Sequence, residues 1–413
     1  MIFIKCHFRK ITKWVFVMYI HRTAENTIQK FSKQFKVLLI TGARQVGKST
    51  LLQRCDEHRN YVSLDDLVER EMAINEPQLF LRNHQTPLII DEIQYAPQLL
   101  SYIKLIVDKS DKKGQYWLTG SQQFHLMENI SESLAGRVGI IDLMGLSLSE
   151  ISAHKNQLPF NIDLENNHKK NYSIDEIFQI IYNGFYPALN NQEEMDRNAF
   201  YSSYLRTYIE RDIRALNSIS DEMKFLTFIR VVAARTGQVL KYSEIAKEVE
   251  ISQPTAKNWL SVLISSHLVY LLPPYYKNVN KRMTKMPKIY FMDTGLCAYL
   301  TGWSNPEVIQ KGAMNGAFFE TFVVSEIIKS YFHNGEIPLI YWYRDTLGKE
   351  IDLIIEKNGK LYPIEIKLTA NPNKSMIKNF SIIENWDMGA IICMNEKEMF
   401  LTENVKVIPV FNI

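Results

Sequence analysis

A run of ten residues, Thr41-Gly42-Ala43-Arg44-Gln45-Val46-Gly47-Lys48-Ser49-Thr50, follows directly on the apolar stretch Val37-Leu38-Leu39-Ile40. Its spacing is G-x-x-x-x-G-K-[ST], the pattern of a phosphate-binding loop. An apolar strand delivers the chain to a loop whose backbone N–H groups wrap a phosphate, and a helix starting near Lys48 points its positive end at the same anion. Gly42 and Gly47 permit the backbone geometry of the tight wrap. In that chemistry Ala43, Arg44, Gln45, Val46 and Thr50 complete the cradle. Lys48 would reach the β- and γ-phosphates of ATP, and the Ser49 hydroxyl would ligate Mg²⁺. A glycine-rich turn after a buried strand is the plainer alternative.

A second set bears on that choice. Pro87-Leu88-Ile89-Ile90-Asp91-Glu92 is an apolar strand ending in two adjacent carboxylates, a Walker B pattern. Asp91 would hold the Mg²⁺ shell, and Glu92 would orient and deprotonate the attacking water, which marks a hydrolase rather than a nucleotide binder. Acids at a strand end are also ordinary turn chemistry, but two independent motifs in the correct order argue against coincidence. Further on, Gln115 to Ser121 reads as a strand ending in small polar residues. Ser121 or Thr119 would face the γ-phosphate if this strand lies between the two motif strands; capping the next helix is the alternative. Arg137, in Ser133-Leu134-Ala135-Gly136-Arg137, is a candidate arginine finger or γ-phosphate sensor, with an ordinary surface ion pair as the other reading.

The third set lies near the C-terminus, where Asp352 is followed by Glu365 and Lys367. Glu365 and Lys367 are two apart on a strand and project from one face. The turn Lys357-Asn358-Gly359 between apolar runs is a hairpin signal that brings Asp352 near both. Asp352 and Glu365, with the Ile366 carbonyl, would hold Mg²⁺ or Mn²⁺, while Lys367 positions or activates water, as metal-dependent phosphodiester cleavage requires. Glu320, on the helix opened by Phe318-Phe319, would complete the acidic set. A cross-strand salt bridge is the plainer alternative.

These residues need a scaffold, and the pattern supplies one. Strands alternating with helices over 37–154 argue a parallel, three-layer α/β sheet in a P-loop ATPase domain spanning 18–154. Residues 155–172, rich in Asn, Lys and acids, read as a mobile connection or lid loop within a helical connector over 155–222. From 223 to 300 the order is helix, helix, turn, helix, strand: helices over Phe225 to Ala234, Tyr242 to Val249 (with Ser243 as N-cap) and Ser252 to His267. A winged helix fits. Ser252, Gln253, Thr255, Lys257 and Asn258 would stand at the exposed start of its recognition helix, with a protein-contact role as the alternative. Lys277, Lys281, Arg282, Lys285 and Lys288 follow without an acid and are the best local candidates for phosphate contact. Residues 301–413 form the small α/β domain that carries the third set.

Composition narrows the function classes. With 413 residues the chain holds about two to four domains. A hydrophobic content of 46% and a charged content of 23% are those of a protein that buries real cores. The net charge of +3 makes any nucleic-acid surface local rather than global. Cys6, Cys55, Cys297 and Cys393 show no C-x-x-C spacing, which argues against a disulfide framework or zinc site and suits a reducing cytoplasm. No stretch reaches the ~18 consecutive apolar residues of a membrane span. The basic, interrupted start over 1–17 lacks a cleavage site for a signal peptide and reads as an N-terminal extension.

Taken in order, the motifs resemble the large prokaryotic family of AAA-type ATPases with a C-terminal domain of the restriction-endonuclease-like, PD-(D/E)XK, superfamily. The resemblance runs from Met18 to nearly the end. Besides the Walker segments it rests on Leu118-Thr119-Gly120-Ser121, Ser133 to Arg137, Tyr208-Ile209-Glu210-Arg211-Asp212-Ile213, Tyr290-Phe291-Met292-Asp293-Thr294-Gly295-Leu296, Lys349-Glu350-Ile351-Asp352 and Ile364-Glu365-Ile366-Lys367. Residues 1–17 depart from the pattern. The resemblance implies an ATP site at Lys48, Ser49, Asp91 and Glu92 that works as a switch, and a nuclease motif at Asp352, Glu365 and Lys367. The expected function is Mg²⁺-dependent ATP hydrolysis coupled to a nuclease-like domain on nucleic acid, DNA before RNA. Two other readings stay open: a DNA-binding or signalling switch whose nuclease fold only grips, and an ATP-dependent regulator of a protein partner. Oligomerisation, with Arg137 acting in trans, is open as well.

Overall fold

The computed structural model describes residues 19–120, 133–154, 157–162, 171–191, 195–208, 221–276, 278, 282 and 285–413. Residues 1–17, Ser121, Ile209 to Ile213, Lys277 and Lys281 lie outside the described residues.

The N-terminal part alternates helix and strand: α1 (Ala24–Ser32), β1 (Val37–Thr41), α2 (Lys48–Cys55), β2 (Asn60–Ser63), α3 (Leu67–Asn75), α4 (Pro77–Asn83), β3 (Leu88–Asp91), α5 (Leu99–Asp108), β4 (Tyr116–Thr119), β5 (Val138–Asp142) and α6 (Leu148–Ile151). The five strands form a parallel sheet in the order β2-β3-β4-β1-β5. β4 therefore separates the two motif strands, β1 and β3. Every residue of β1 is buried, as a parallel strand covered on both faces requires. Leu38 and Ile40 pack with Trp117 and Ile141 on one face, while Val37 and Leu39 pack with Leu88, Ile90 and Leu118 on the other.

A helical middle follows: α7 (Ile174–Asn183), α8 (Pro187–Asn191), α9 (Arg197–Tyr208), α10 (Glu222–Ala233), α11 (Tyr242–Val249) and α12 (Gln253–Ser265), with β6 (Gln238–Val239), β7 (Val269–Leu272) and β8 (Lys288–Phe291) as an antiparallel sheet in the order β6-β8-β7. α11 starts two residues earlier than its capping pattern suggests. Lys241, not Ser243, is its N-cap, without a side-chain bond. Ser252 does cap α12, accepting from the Thr255 N–H.

The last part contains α13 (Thr294–Leu300), α14 (Pro306–Lys311), α15 (Asn315–Phe332) and β9 (Ile340–Arg344), β10 (Glu350–Lys357), β11 (Lys360–Lys367), β12 (Gly389–Cys393), β13 (Met399–Thr402) and β14 (Val405–Pro409). These strands make a mixed sheet in the order β13-β14-β12-β11-β10-β9. Asn358 and Gly359 join β10 to β11 with φ of 52° and 74°, the left-handed pair that a two-residue hairpin turn needs.

The three parts share one apolar core that runs from Leu38 through Phe185 to Phe322 and Ile366. The Tyr290-to-Leu296 segment is one of its ties. Asp293 caps α13 through the Leu296 N–H at 2.7 Å and also accepts from the Phe185 N–H at 2.7 Å and the Tyr201 hydroxyl at 2.9 Å. A Cβ on Gly295 would stand 2.3 Å from that hydroxyl, so glycine is required for the close approach. The lid expectation for 155–172 is corrected over its described part. The Phe160 N–H donates to Ser330 Oγ at 2.9 Å, and its carbonyl accepts from the Tyr331 hydroxyl at 2.9 Å, which straps the segment to α15.

Candidate functional site

The phosphate loop leaves the carboxyl end of β1. Gly42 has φ +141°, and a Cβ there would lie 2.0 Å from the Leu143 carbonyl oxygen. Gly47, at φ 92°, is the N-cap of α2. Lys48 is buried and donates to the carbonyls of Gly42 at 3.0 Å and Ala43 at 2.8 Å. Between them Ala43 and Val46 are buried, Arg44 is half-buried, and Gln45 and Thr50 are exposed. The Ser49 hydroxyl donates to Asp91 Oδ1 at 2.7 Å, and the Tyr61 hydroxyl donates to Asp91 Oδ2 at 2.9 Å. Burial, with Asp91 beside it, pushes the Tyr61 hydroxyl up to about 12, so it remains a donor. Thr119 joins the two acidic positions: its hydroxyl donates to Asp91 and accepts the Glu92 N–H. Glu92 holds a left-handed backbone, φ 58° and ψ 48°, and its carboxylate accepts from the Gln94 amide. Lys48, Ser49, Asp91 and Glu92 thus meet at one end of the sheet, and a serine hydroxyl touching an aspartate is a donor pair that suits Mg²⁺.

Arg137 is not among them. It precedes β5, and its carbonyl accepts the Val37 N–H at the entry of β1. The parallel strands run from there toward the loop, so a strand length of roughly 16 Å separates Arg137 from the phosphate end. Its guanidinium instead grips Asp108 at 2.5 and 3.0 Å. The same-chain sensor reading is therefore corrected, because β5 starts, rather than ends, at this arginine.

At the other end of the molecule the hairpin sets Asp352 opposite Glu365, given the pairing of Leu353 with Ile364. Lys367 Nζ donates to Asp352 Oδ2 at 2.7 Å and lies 2.6 Å from Glu365 Oε2. The Ile366 N–H also donates to Asp352, at 2.9 Å. Burial would lower the Lys367 ammonium, but Asp352 and Glu365 carry it above the usual lysine range. Burial, with Asp352 alongside, lifts the Glu365 carboxyl to about 8. Glu365 Oε1 is buried without a hydrogen-bond partner. Such an acceptor is costly unless a proton or cation meets it, so Asp352 and Glu365 fit a divalent ion, although among the described residues no group of three His, Cys, Asp or Glu side chains stands at metal-holding spacing. Glu320 adjoins this set but is held by Lys288 Nζ at 2.9 Å and the Tyr290 hydroxyl at 2.6 Å.

Two members of the basic run, Arg282 and Lys288, are corrected on the same grounds, while Lys285 is exposed. Lys288 is buried, and Arg282 is bound to Glu356 at 2.8 Å and lies over the rings of Tyr275 and Tyr341. Neither is a solvated cation that waits for phosphate. Ser252, Gln253, Lys257 and Asn258 are exposed at the start of α12, and Thr255 is half-buried.

Comparison with known proteins divides the chain into three matched stretches. Residues 34–152 match the AAA domain family. Residues 174–307 and 315–413 match two domains of unknown function, DUF8612 and DUF4143. Uncharacterized proteins of Mycobacterium bovis and Mycobacterium tuberculosis are each 27% identical over 390 residues, which cover 94% of this chain and 83% of theirs. Among solved structures, a Walker-type ATPase of Pyrococcus abyssi is 16% identical with a TM-score of 0.43, over 67% of this chain and 94% of that one. AMPPCP-bound DnaA of Aquifex aeolicus is 15% identical with a TM-score of 0.25, over 58% of this chain and 85% of that one. Residues 34–152 form a P-loop domain of the AAA ATPase type, a nucleotide-binding unit.

The AAA-type domain has neighbours that local pattern did not reveal. His267, at the turn before β7, places Nε2 at 3.6 Å from Asp142 Oδ1, and Asp142 accepts from the Thr41 hydroxyl at the start of the phosphate loop. Burial holds the His267 imidazole below its ordinary range against the pull of Asp142, and Lys48 adds to the lowering. The sequence offered one signal, an acid ending an apolar strand at Asp142, as at Asp91. Arg22 donates to the Val46 carbonyl at 2.9 Å and to Glu150 Oε2 at 3.0 Å. Against the cost of burial, Arg22 and His333 hold the Glu150 carboxyl far below the usual range. Through His333, Lys329 and Glu326, the carboxyl end of α15 is pinned behind the phosphate loop: Lys329 donates to the Leu146 carbonyl at 2.9 Å, and Glu326 accepts the Leu148 N–H at 2.7 Å. α15 also carries Glu320, so one helix touches both candidate sites.

Proposed function

We propose that this protein hydrolyses ATP with Mg²⁺ and that its nucleotide state governs a DNA-directed, nuclease-like C-terminal domain. The observation that carries the first half is the meeting of Lys48, Ser49, Asp91 and Glu92 at the end of one parallel sheet. Lys48 would exchange its two carbonyl partners for the β- and γ-phosphates. Glu92, fixed through Thr119, would orient the attacking water and take its proton. Mg²⁺ held by Ser49 and Asp91 would neutralise charge on the same phosphates. Arg137 is left for a neighbouring copy, where a planar cation would stabilise the transferred phosphoryl in trans.

For the second half, Asp352 and Glu365 would hold a divalent ion and Lys367 would position the water. A divalent ion there would supply Lewis-acid activation of a phosphodiester. The helices α10 to α12 with their three-stranded sheet support a winged-helix reading, with α12 presenting Ser252, Gln253, Lys257 and Asn258 to DNA. The free thiols of Cys55, Cys297 and Cys393 support a reducing, cytoplasmic setting.

A second reading has an observation of its own. The pairing of Lys288 with Glu320 partly neutralises the acidic set, which favours a switch that binds DNA without cutting it. Phosphate release and retention on a DNA column separate these readings from a protein-partner regulator. The proposal expects Mg²⁺-dependent turnover lost in Glu92→Gln, and salt-sensitive retention on DNA weakened in Lys257→Ala. Turnover without any DNA retention would leave only the regulator.

A further inference from the structure

The acidic cluster of the C-terminal sheet contains a cation that comes from another sheet. Lys288 opens β8, in the β6-β8-β7 sheet, yet its Nζ lies 2.9 Å from Glu320 Oε1 on α15 and 2.6 Å from Glu350 Oε1 on β10. It is 4% exposed and sits 5.5 Å from the centre of the Trp342 ring. A buried ammonium is tolerated only where its partners are fixed and close, and here both are. The backbone supports the placement: β8 pairs along its length with β7, from Lys288 with Leu272 to Phe291 with Val269.

Glu320, Glu350, Asp352 and Glu365 face two buried or half-buried ammonium groups, Lys288 and Lys367. Arg344 reaches the other Glu350 oxygen only at 4.0 Å and is 53% exposed, so water screens it. With all four carboxylates ionised, as a bound divalent ion would have them, the cluster is two positive charges short. The shortfall has a location, because Glu365 meets Lys367 through Oε2 only, and its Oε1 is buried with no hydrogen-bond partner. Lys288 bridges Glu320 and Glu350 and Lys367 bridges Asp352 and Glu365, so each pair stays one positive charge short, and the unpartnered Glu365 oxygen sets the place of a divalent ion beside Asp352.

We propose that Lys288 is a resident cation which takes the place of a second divalent ion, so that the cluster accepts one divalent ion, at Asp352 and Glu365, and keeps Lys288 in position when it does. This rests on the reading of Asp352 and Glu365 as a metal site. It adds that the β6-β8-β7 sheet completes that site, and that the two-ion clamp available to many phosphodiester-cleaving enzymes is replaced here by one ion and one lysine.

Mn²⁺ alone is the probe, titrated without nucleotide or DNA into full-length protein carrying Asp91→Asn to silence the ATP site, with bound Mn²⁺ counted by electron paramagnetic resonance. The expected stoichiometry is one ion per chain, falling to none when Asp352→Asn is added. Lys288→Gln should raise it to two, and adding Glu320→Gln should return it to one. Two ions in the Lys288-bearing protein, or one in a folded Lys288→Gln protein, would overturn the proposal. Where Lys288→Gln does not fold, acetylation of the lysines read by mass spectrometry decides. Lys288 should stay at least tenfold protected at saturating Mn²⁺, and its exposure on Mn²⁺ binding would show displacement rather than residence. Absence of bound Mn²⁺ in every variant would overturn the metal-site reading itself, and with it this proposal. A count of one that is unmoved by Lys288→Gln would overturn only the role of Lys288.

Discussion

The phosphate loop and the C-terminal acidic cluster both gather charged side chains, but they hold those charges in opposite ways. At the loop, Lys48 rests on two backbone carbonyls and Asp91 on three hydroxyl groups. These are neutral partners that a phosphate and a metal ion replace at small cost. At the cluster, Lys288 and Lys367 lie directly on carboxylates in buried surroundings, where separating the pair leaves an uncompensated charge. The loop's charges rest on neutral partners that can be exchanged; the cluster's charges are locked to one another. Between them α15 carries Glu320 in its first half and Glu326 and Lys329 in its second, with His333 as its C-cap.

The most damaging change should strike the buried contact that ties α6 to the end of that helix. Glu150→Ala leaves Arg22 and His333 without their buried partner behind the phosphate loop, and a loss of about 3–5 kcal/mol is expected in denaturant unfolding. A loss below about 1 kcal/mol would mean that the network contributes little to rigidity. Next in size, Lys48→Ala should lower ATP turnover by about 100-fold or more, with the thermal midpoint held, since its present partners are carbonyls. Unchanged turnover would overturn the ATP-site assignment.

A third test probes the cluster through pH. The Glu365 carboxyl is lifted from 4.5 to about 8 by burial and by Asp352, so the folded state binds a proton that the unfolded state has released. Its contribution is fully present below about pH 4.5 and is lost as pH rises through about 8, on the order of a few kcal/mol. In EDTA, the unfolding midpoint should fall across that window for the unaltered protein and stay flatter for Glu365→Gln; parallel curves would contradict the assignment. The smallest effect belongs to Arg137→Ala, which loses only an exposed pair with Asp108. The unfolding midpoint should be unchanged. Turnover should drop only at protein concentrations where copies associate; an equal drop at all concentrations in a monomer would remove the trans role.

How much of this was readable beforehand depends on chain distance. The loop glycines, the Asp91-Glu92 strand end and the Asn358-Gly359 hairpin announce themselves because the physics that fixes them is local: φ, strand alternation and turn geometry. Arg137 misled because its loop motif does not encode the end of the sheet it occupies, which follows only from the parallel pairing of β5 with β1. The partners of Lys288 are 32 and 62 residues away, and a lysine in a basic run looks solvated until a second sheet closes over it. His267 and Arg22 were silent for the same reason. His267 meets Asp142 only after the middle part packs on the first, and the partners of Arg22, Val46 and Glu150, lie 24 and 128 residues away.

The central claim, that ATP state governs a nuclease-like domain, is met most directly by one assay. Supercoiled DNA is incubated with Mn²⁺ and either ATP, ADP or no nucleotide, using unaltered protein and Lys367→Ala. The account predicts nicking or cutting that depends on ATP and disappears in Lys367→Ala. No cutting in any nucleotide state, alongside robust ATP turnover, would contradict it and leave a nucleotide switch whose C-terminal domain binds without cleaving.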